Sequence, residues 1–516
     1  MILITLLIYA DQIGFTSYAD VARLPQENCS WGFTLGDYDA DGDPDVYMHS
    51  HIQGLAEQKG ILVRSHLLRN EGGMQFRDVT TSSGMDSYNQ DPHHASFTDF
   101  DNDGDLDLYV QMGTPKAHGT CYSELWEQQA DGRFLDVATT RDARGIGFRG
   151  RGATWADIDL DGDLDVYGPG PLASETGNKV GRGSLLFRND GPGPFAEIGE
   201  QAGVGRYDVG GYQAAFGDFD GDMLPDLVAT WPLAVYRNLG GGHFEELGPE
   251  SGFPIGADAR SAIWEDFDQD GDLDLLVTVN NTDDSPAGAQ PGLLLLRNDG
   301  GHFEDITAAL GLDVDVVARG ATFGDVDNDG DLDLFVSEMT RYRPDRLFLQ
   351  GPDGRFTDEA VTLGLGATHA PGRSDAAFAD FDGDGRLDLL VAQGAGGCYQ
   401  NHGAPDIFHN DLAGTGHYLE VALQGTTSNR DALGAVVTLT AGEAQWSRHH
   451  LGPQHYLSQD RLPLHFGLGA HQQLDSLVVR WPSGRTESFT VEGVDRRVKL
   501  VEGQGREVPP TPGEVR

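Results

Sequence analysis

One acidic loop, reading D-x-D-x-D-G-x-x-D, returns seven times along 516 residues. Each copy lies between apolar, strand-like segments, and successive copies begin 48 to 62 residues apart. Together these observations predict an all-β fold: a seven-bladed β-propeller with a metal loop in each blade, followed by a small C-terminal β domain. The loops begin at Asp37, Asp99, Asp157, Asp218, Asp266, Asp325 and Asp380. Their spacing is that of one four-stranded blade rather than of one helical repeat.

Each repeat has the same layout. A strand rich in Ala, Thr and aromatics leads into the acidic loop, as in RGATWADIDLDGD from Arg151 to Asp163. A second strand leaves it, as in LDLYV (Leu106 to Val110) or LDLLV (Leu273 to Val277). A third reads like LLLLRNDG from Leu293, and a fourth like HFEDITAALGL from His302. Period-two alternation with β-branched and aromatic residues, broken by Gly, Asn and Asp turns, makes these strands. The last repeat lacks a fourth strand after Asn410, whereas GFTSYADVARL (Gly14 to Leu24) matches that strand and precedes the first loop. The N-terminal segment is therefore expected to complete the final blade, closing the ring and protecting its edges.

The loops point to calcium, a hard cation that takes six to eight oxygens. In the first loop Asp37, Asp39 and Asp41 offer side-chain oxygens at positions 1, 3 and 5. Gly42 makes the sharp turn, Asp43 offers its backbone carbonyl at position 7, and Asp45 at position 9 closes the shell. The second loop offers Asp99, Asp101, Asp103, Asp105 and Asp107, and the third Asp157, Asp159, Asp161, Asp163 and Asp165. The fourth has Asp218, Asp220, Asp222 and Asp226, with Met223 where Gly belongs, and is expected to be the weakest or most distorted. The fifth has Asp266, Asp268, Asp270, Asp272 and Asp274, and the sixth Asp325, Asp327, Asp329, Asp331 and Asp333. The seventh has Asp380, Asp382, Asp384 and Asp388, and Arg386 at position 7 should lower its affinity by repulsion. Left without cations, such clusters would repel themselves strongly at neutral pH. About seven calcium ions are expected, their binding free energy becoming folding free energy.

The chain has 35 Lys and Arg against 82 Asp and Glu, a formal charge of −47 that seven calcium ions would bring to about −33. Nucleic acid and anionic membranes are poor partners for such a surface. Residues 1–10, MILITLLIYA, read as a signal peptide, and no apolar stretch is long enough to span a bilayer as a helix. A secreted, periplasmic or cell-surface location also suits weak calcium loops. Three cysteines, Cys29, Cys121 and Cys398, permit one disulfide and a spare thiol without requiring them. Residues 11–412 read as the propeller, 413–502 as the second domain and 503–516, rich in Pro and Gly, as a disordered tail.

Six residues before each loop stand Trp31, His93, Arg151, Tyr212, Arg260, Arg319 and Ser374. These positions should ring the channel mouth opposite the acidic loops. The arginines suit a carboxylate, phosphate or acidic sugar, or else neutralise nearby acids. His49, His51 and His118 are expected on the same face, beside His93 and His94. They are a transition-metal set if they converge and ordinary loop histidines if they do not. No nucleophile elbow, P-loop or dinucleotide fingerprint is present.

The acidic loops with their LxRNxGxxF-x-D-x-T strands resemble FG-GAP/VCBS repeats, the calcium-loop blades also found in integrin α chains. TTSNRDALGA (Thr426 to Ala435), GPQHYLSQ (Gly452 to Gln459), HFGLG (His465 to Gly469) and WPSG (Trp481 to Gly484) resemble the ASPIC/UnbV domain. The pairing resembles the cartilage acidic protein 1 family, although the EGF-like module of its animal members is not in this sequence. That resemblance implies a calcium-binding propeller acting as a scaffold for a protein or glycan. The UnbV link to enediyne gene clusters implies the alternative of an enzyme or accessory protein in secondary metabolism. Asn429, Arg430 and Asp431 are either a self-paired turn or a recognition element. Ser458, Gln459, His465 and Gly467 are family motif positions.

Overall fold

The computed structural model describes residues 14–25, 30–50, 64–85, 92–112, 123–145, 152–170, 184–205, 211–255, 259–279, 292–340, 343–366, 373–393, 405–452, 454 and 459–508. The expectations for residues 1–10, Arg151, His51, His118 and the three cysteines lie outside them. So do residues 509–516 of the expected tail.

Seven antiparallel sheets follow one another along the chain, each with four consecutive strands except the last. The fifth shows the pattern: Ala259–Glu265, Asp274–Val279, Leu293–Asp299 and His302–Asp305. The fourth strand is shorter than HFEDITAALGL implied, because the chain turns off after Asp305. The last sheet is Asp375–Ala379, Asp388–Ala392 and Asp406–Asn410, with Phe15–Ser17 as its outer strand. The N-terminal segment thus closes the ring, in register Phe15 to Asn410. Innermost strands of neighbouring blades pack on one another, and the last packs against the first. The residue four before each loop (Phe33, Ala95, Ala153, Ala214, Ala262, Ala321 and Ala376) is fully buried. Small side chains there let adjacent blades approach, and larger residues fill the wedges, as where Trp264 stacks on Phe219.

Residues 417–507 form two packed sheets. One holds Leu464–Gly469, His417–Gln424 and Arg496–Val501, and the other Ala444–His450, Ala435–Ala441, Ser476–Arg480, Thr486–Phe489 and Arg506–Glu507. They share a core of Leu419, Val437, Trp481 and their neighbours. Residues 503–508, expected as disordered tail, make a turn and a strand instead. Arg506 and Glu507 pair with Ser488 and Glu487, so backbone hydrogen bonding holds a segment whose composition is loop-like.

The second domain sits on the acidic-loop face and reaches into the channel. Gln454 accepts from the Trp264 amide at 2.7 Å, and its carbonyl accepts from Gln213 Nε2 at 2.6 Å. Gln459–Arg461 then runs parallel to Thr34–Gly36, a fifth strand on the inner edge of the first blade. The channel is therefore lined by a segment of the chain itself.

Candidate metal centres

Every loop is wound by the same hydrogen bonds. The position 1 carboxylate accepts the position 6 amide, as Asp37 does from Gly42 (3.0 Å), Asp157 from Gly162 (3.0 Å) and Asp325 from Gly330 (2.9 Å). Position 5 accepts the position 7 amide, as Asp270 does from Asp272 at 3.0 Å. Positions 4 and 6 are left-handed in each copy, for example Asn328 (φ 56°) and Gly330 (φ 109°). In the fourth loop Met223 holds that conformation at φ 75° despite its side chain, a strain only glycine avoids. The distortion expected there is local: Met223 still donates to Asp218 at 2.9 Å.

These bonds leave oxygens over. Asp37 Oδ1, Asp39 Oδ1, Asp99 Oδ1, Asp159 Oδ1, Asp218 Oδ1, Asp220 Oδ1 and Asp266 Oδ1 are buried without a hydrogen-bond partner. Carboxylate oxygens of Asp99, Asp101 and Asp107 lie within 4.8 Å of one another, as do those of Asp157, Asp159 and Asp165 and of Asp218, Asp220 and Asp226. Buried oxygens of this kind, converging and unsatisfied, fit a hard cation. Burial pushes Asp45 and Asp99 up to about 8 and Asp226 and Asp274 up to about 9, with neighbouring carboxylates adding to the rise. A bound cation would reverse that cost. Position 7 side chains can be engaged elsewhere: Asp163 accepts from Asn102 and Asp272 from the Gly300 amide. In the seventh loop Arg386 pairs with Asp384 and donates to the Asn410 carbonyl, so it competes for a position 5 oxygen.

Position 9 is more than a ligand candidate. Asp226 takes the Phe219 amide on one oxygen and the Asn238 amide on the other, fastening its loop to the third strand. That asparagine was missed as a functional position, although the RN dipeptide recurs along the sequence. Its amide donates to a loop carbonyl of the preceding blade: Asn238 to Ile158, Asn298 to Phe219, Asn410 to Val326, and Asn70 to Phe381 across the closure. The residue before it can meet position 3. Arg237 pairs with Asp220 at 2.8 Å, and in the last blade His409 takes the role with Asp382 at 3.1 Å.

The second domain is seated on these loops. Arg497 donates to the Gly42 carbonyl, Asp431 accepts the Asp99 amide at 3.0 Å, and the Arg430 amide donates to Asn102 at 2.9 Å. Arg480 reaches to 3.7 Å from Asp218, and His465 bonds Asn328 at 2.7 Å. A Cβ on Gly467 would collide with the Asp325 carboxylate, and one on Gly452 with the Trp155 carbonyl, which explains two motif glycines by backbone approach. Asn429 caps its own turn through Leu433, so the Asn429–Asp431 segment is both a turn and a docking element.

At the far ends of the inner strands the expected ring is only partly assembled. The Arg260 guanidinium lies 4.0 Å over the Tyr212 ring, which in turn packs on Trp231 at 4.8 Å. Arg260 Nε has no hydrogen-bond partner among the described residues. Arg319 is half-buried, and its carbonyl accepts from Ser261 and Thr278. Ser374 is fully buried rather than displayed, with its amide on the Ala392 carbonyl. His49, His93 and His94 are buried in the walls of the first two blades, not presented on exposed loops. For Trp31 the structure describes only its place in the strand Ser30–Gly36.

Comparison with known proteins gives two family matches. Residues 230–277 and 337–391 match the FG-GAP-like repeat, and residues 425–507 match the family described as ASPIC and UnbV. The chain is an FG-GAP-like repeat protein with an ASPIC and UnbV domain. It is homologous to cartilage acidic protein 1. With the Xenopus tropicalis protein it is 25% identical over 512 residues, covering 91% of this chain and 74% of that protein. With the Homo sapiens protein it is 26% identical over 425 residues, covering 76% of this chain and 60% of that protein. Among solved structures, the lectin BP39L from Burkholderia pseudomallei is similar at 12% identity and a TM-score of 0.46. That similarity covers 74% of this chain and 96% of the lectin. Among the described residues no helix is long and apolar enough to cross a membrane.

Proposed function

We propose that the protein is a secreted, calcium-stabilised binding scaffold in which about seven ions fix the blades and the platform on which the second domain sits. The observation that carries this reading is the set of buried, unsatisfied carboxylate oxygens at position 1 or 3 of the first five loops. A cation at each loop would meet them. It would also fix the very backbone to which Arg497, Asp431 and Arg430 attach. The ligand would be a protein or glycan with an anionic group, met on the face opposite the capped loops. There Arg260, half-buried, is held against the Tyr212 ring.

Elemental analysis of the purified protein tests the reading. About seven calcium ions per chain, removed by chelation with loss of stability, are expected. Fewer than about two calcium ions per chain at equilibrium in about 2 mM calcium would overturn it. One equivalent of zinc, copper or iron would move the assignment toward an enzyme.

A further inference from the structure

Position 4 of the acidic loops, left-handed in every copy and outside the expected ligand set, ties some loops to their neighbours. In three copies it is an amide, and each amide donates to the position 6 carbonyl of the next loop along the chain. Asn102 Nδ2 reaches the Gly162 carbonyl at 3.2 Å, Gln269 Nε2 that of Gly330 at 2.7 Å, and Asn328 Nδ2 that of Gly385 at 2.9 Å. Asn102 also donates to Asp163 Oδ1 at 2.8 Å. The other four copies have Ala40, Leu160, Gly221 and Gly383 there, none with a donor side chain.

The bond lands on a peptide that is already held at its other end. The position 5 carboxylate accepts the position 7 amide: Asp161 from Asp163 at 3.0 Å, Asp329 from Asp331 at 3.0 Å and Asp384 from Arg386 at 2.9 Å. In these three loops the peptide between positions 6 and 7 is therefore fixed at both its N–H and its C=O. It lies between two expected ligands, the position 5 carboxylate and the position 7 carbonyl, and holding it restricts where both can point. In the fifth loop Asp270 holds the Asp272 amide in the same way, but the preceding loop offers no amide for the Gly271 carbonyl. The second and fourth loops likewise follow copies without one. The first is a separate case, because Arg497 of the second domain takes the Gly42 carbonyl and brings a positive charge with it.

The second domain also decides which way two of the amides face. The Arg430 amide occupies Asn102 Oδ1 at 2.9 Å, and His465 Nε2 bonds Asn328 Oδ1 at 2.7 Å. Each asparagine thus has its oxygen end engaged and its nitrogen end left for the following loop.

We propose that Asn102, Gln269 and Asn328 are positioning residues for calcium, each raising the affinity of the loop that follows its own. Affinity in loops of this kind depends on rigidity as well as on ligand charge. A peptide ordered before the ion arrives costs less to order on binding. The third and sixth loops, with the amide and an aspartate at position 7, are then the tightest of the seven. In the seventh the amide offsets part of the competition from Arg386. This inference rests on the calcium-stabilised scaffold reading.

Calcium titration of the full chain against a competing chelator tests it. About two sites are expected to bind about three- to tenfold more tightly than the mean of the others, the gain of one well-placed hydrogen bond. Gln269 makes its one side-chain bond among the described residues to the sixth loop. Gln269→Ala should therefore return one tight site to the main class while about seven ions still bind. Gly221→Asn supplies the missing amide beside the fifth loop. A Cβ at Gly221 meets nothing within 4 Å, and asparagine tolerates its left-handed backbone. That variant should tighten one site by the same factor. An unchanged titration in Gln269→Ala overturns the positioning role. If Gln269→Ala melts early even in saturating calcium, Gly221→Asn decides, and an unchanged titration there overturns it. Either result with about seven ions bound leaves the scaffold standing, whereas fewer than about two in the unmodified chain overturns the scaffold itself.

Discussion

Stripping the cations from the loops should cost the protein about 4–13 kcal/mol of stability. Loops of this carboxylate type in extracellular modules hold calcium with Kd values of about 10⁻⁴–10⁻³ M. At about 2 mM free calcium, mass action then supplies about 0.6–1.8 kcal/mol at each site. The seven loops share one hydrogen-bond scheme, so an average increment is used, with the fourth and seventh loops at its low end. Unfolding entropy of about 2.1 cal/mol/K per residue gives about 1 kcal/mol/K for a chain of this length. Chelation should therefore lower the midpoint by about 4–13 °C, read by calorimetry in calcium and in excess chelator. The unused oxygen of Asp220 makes a finer test. Asp220→Asn should disable the fourth loop and shrink the difference by about a seventh or less. A midpoint that moves by less than about 2 °C on chelation would refute the reasoning, because no plausible affinity then supplies the folding energy.

Met223→Gly should stabilise the protein by about 0.5–1 kcal/mol, since relief of a left-handed side chain (about 1–2 kcal/mol) exceeds the added freedom of the unfolded chain; denaturant unfolding reads it. Asn298→Ala removes donors to the buried Phe219 and Leu273 carbonyls and should cost about 2–4 kcal/mol by the same assay. Burial works against the Glu502 carboxylate, but Ser483 and the Thr426, Thr427 and Ser428 amides outweigh it and hold Glu502 at about 2. With the folded value below the unfolded one of 4.5, its stabilisation is present above pH 4.5 and is lost as pH falls through about 2. Glu502→Gln should thus cost about 1–3 kcal/mol at pH 7 and converge with the unmodified protein near pH 2, as followed by unfolding across pH.

The blades were legible because their signals are local. Loop ligands, strand alternation and the outer strand carried by Phe15–Ser17 all lie within single repeats of sequence pattern. What escaped was set by partners far along the chain. Ala444–His450 reads as polar, yet Ser447, Arg448 and His450 are buried because that strand faces the propeller. Gln459–Arg461 is a strand only by virtue of Thr34–Gly36, more than four hundred residues earlier. The asparagine link between blades was visible as a repeated dipeptide, but its acceptor is a carbonyl, which sequence does not display. The channel-mouth ring rested on counting back from each loop. Counting gave the position along the strand and not the burial, so Ser374 fell inside the wall.

Gln454 and Gln459–Arg461 touch the walls of the fifth and first blades from within. The propeller and its C-terminal partner therefore share hydrogen bonds that neither can satisfy alone. Separated, the propeller would show an unzipped inner edge along Thr34–Gly36, and the partner would leave Arg497, Arg480 and Arg430 without the loop atoms they meet. The molecule is thus one cooperative unit built from two recognisable modules, and a cut between residues 410 and 417 would yield two sticky fragments rather than two domains.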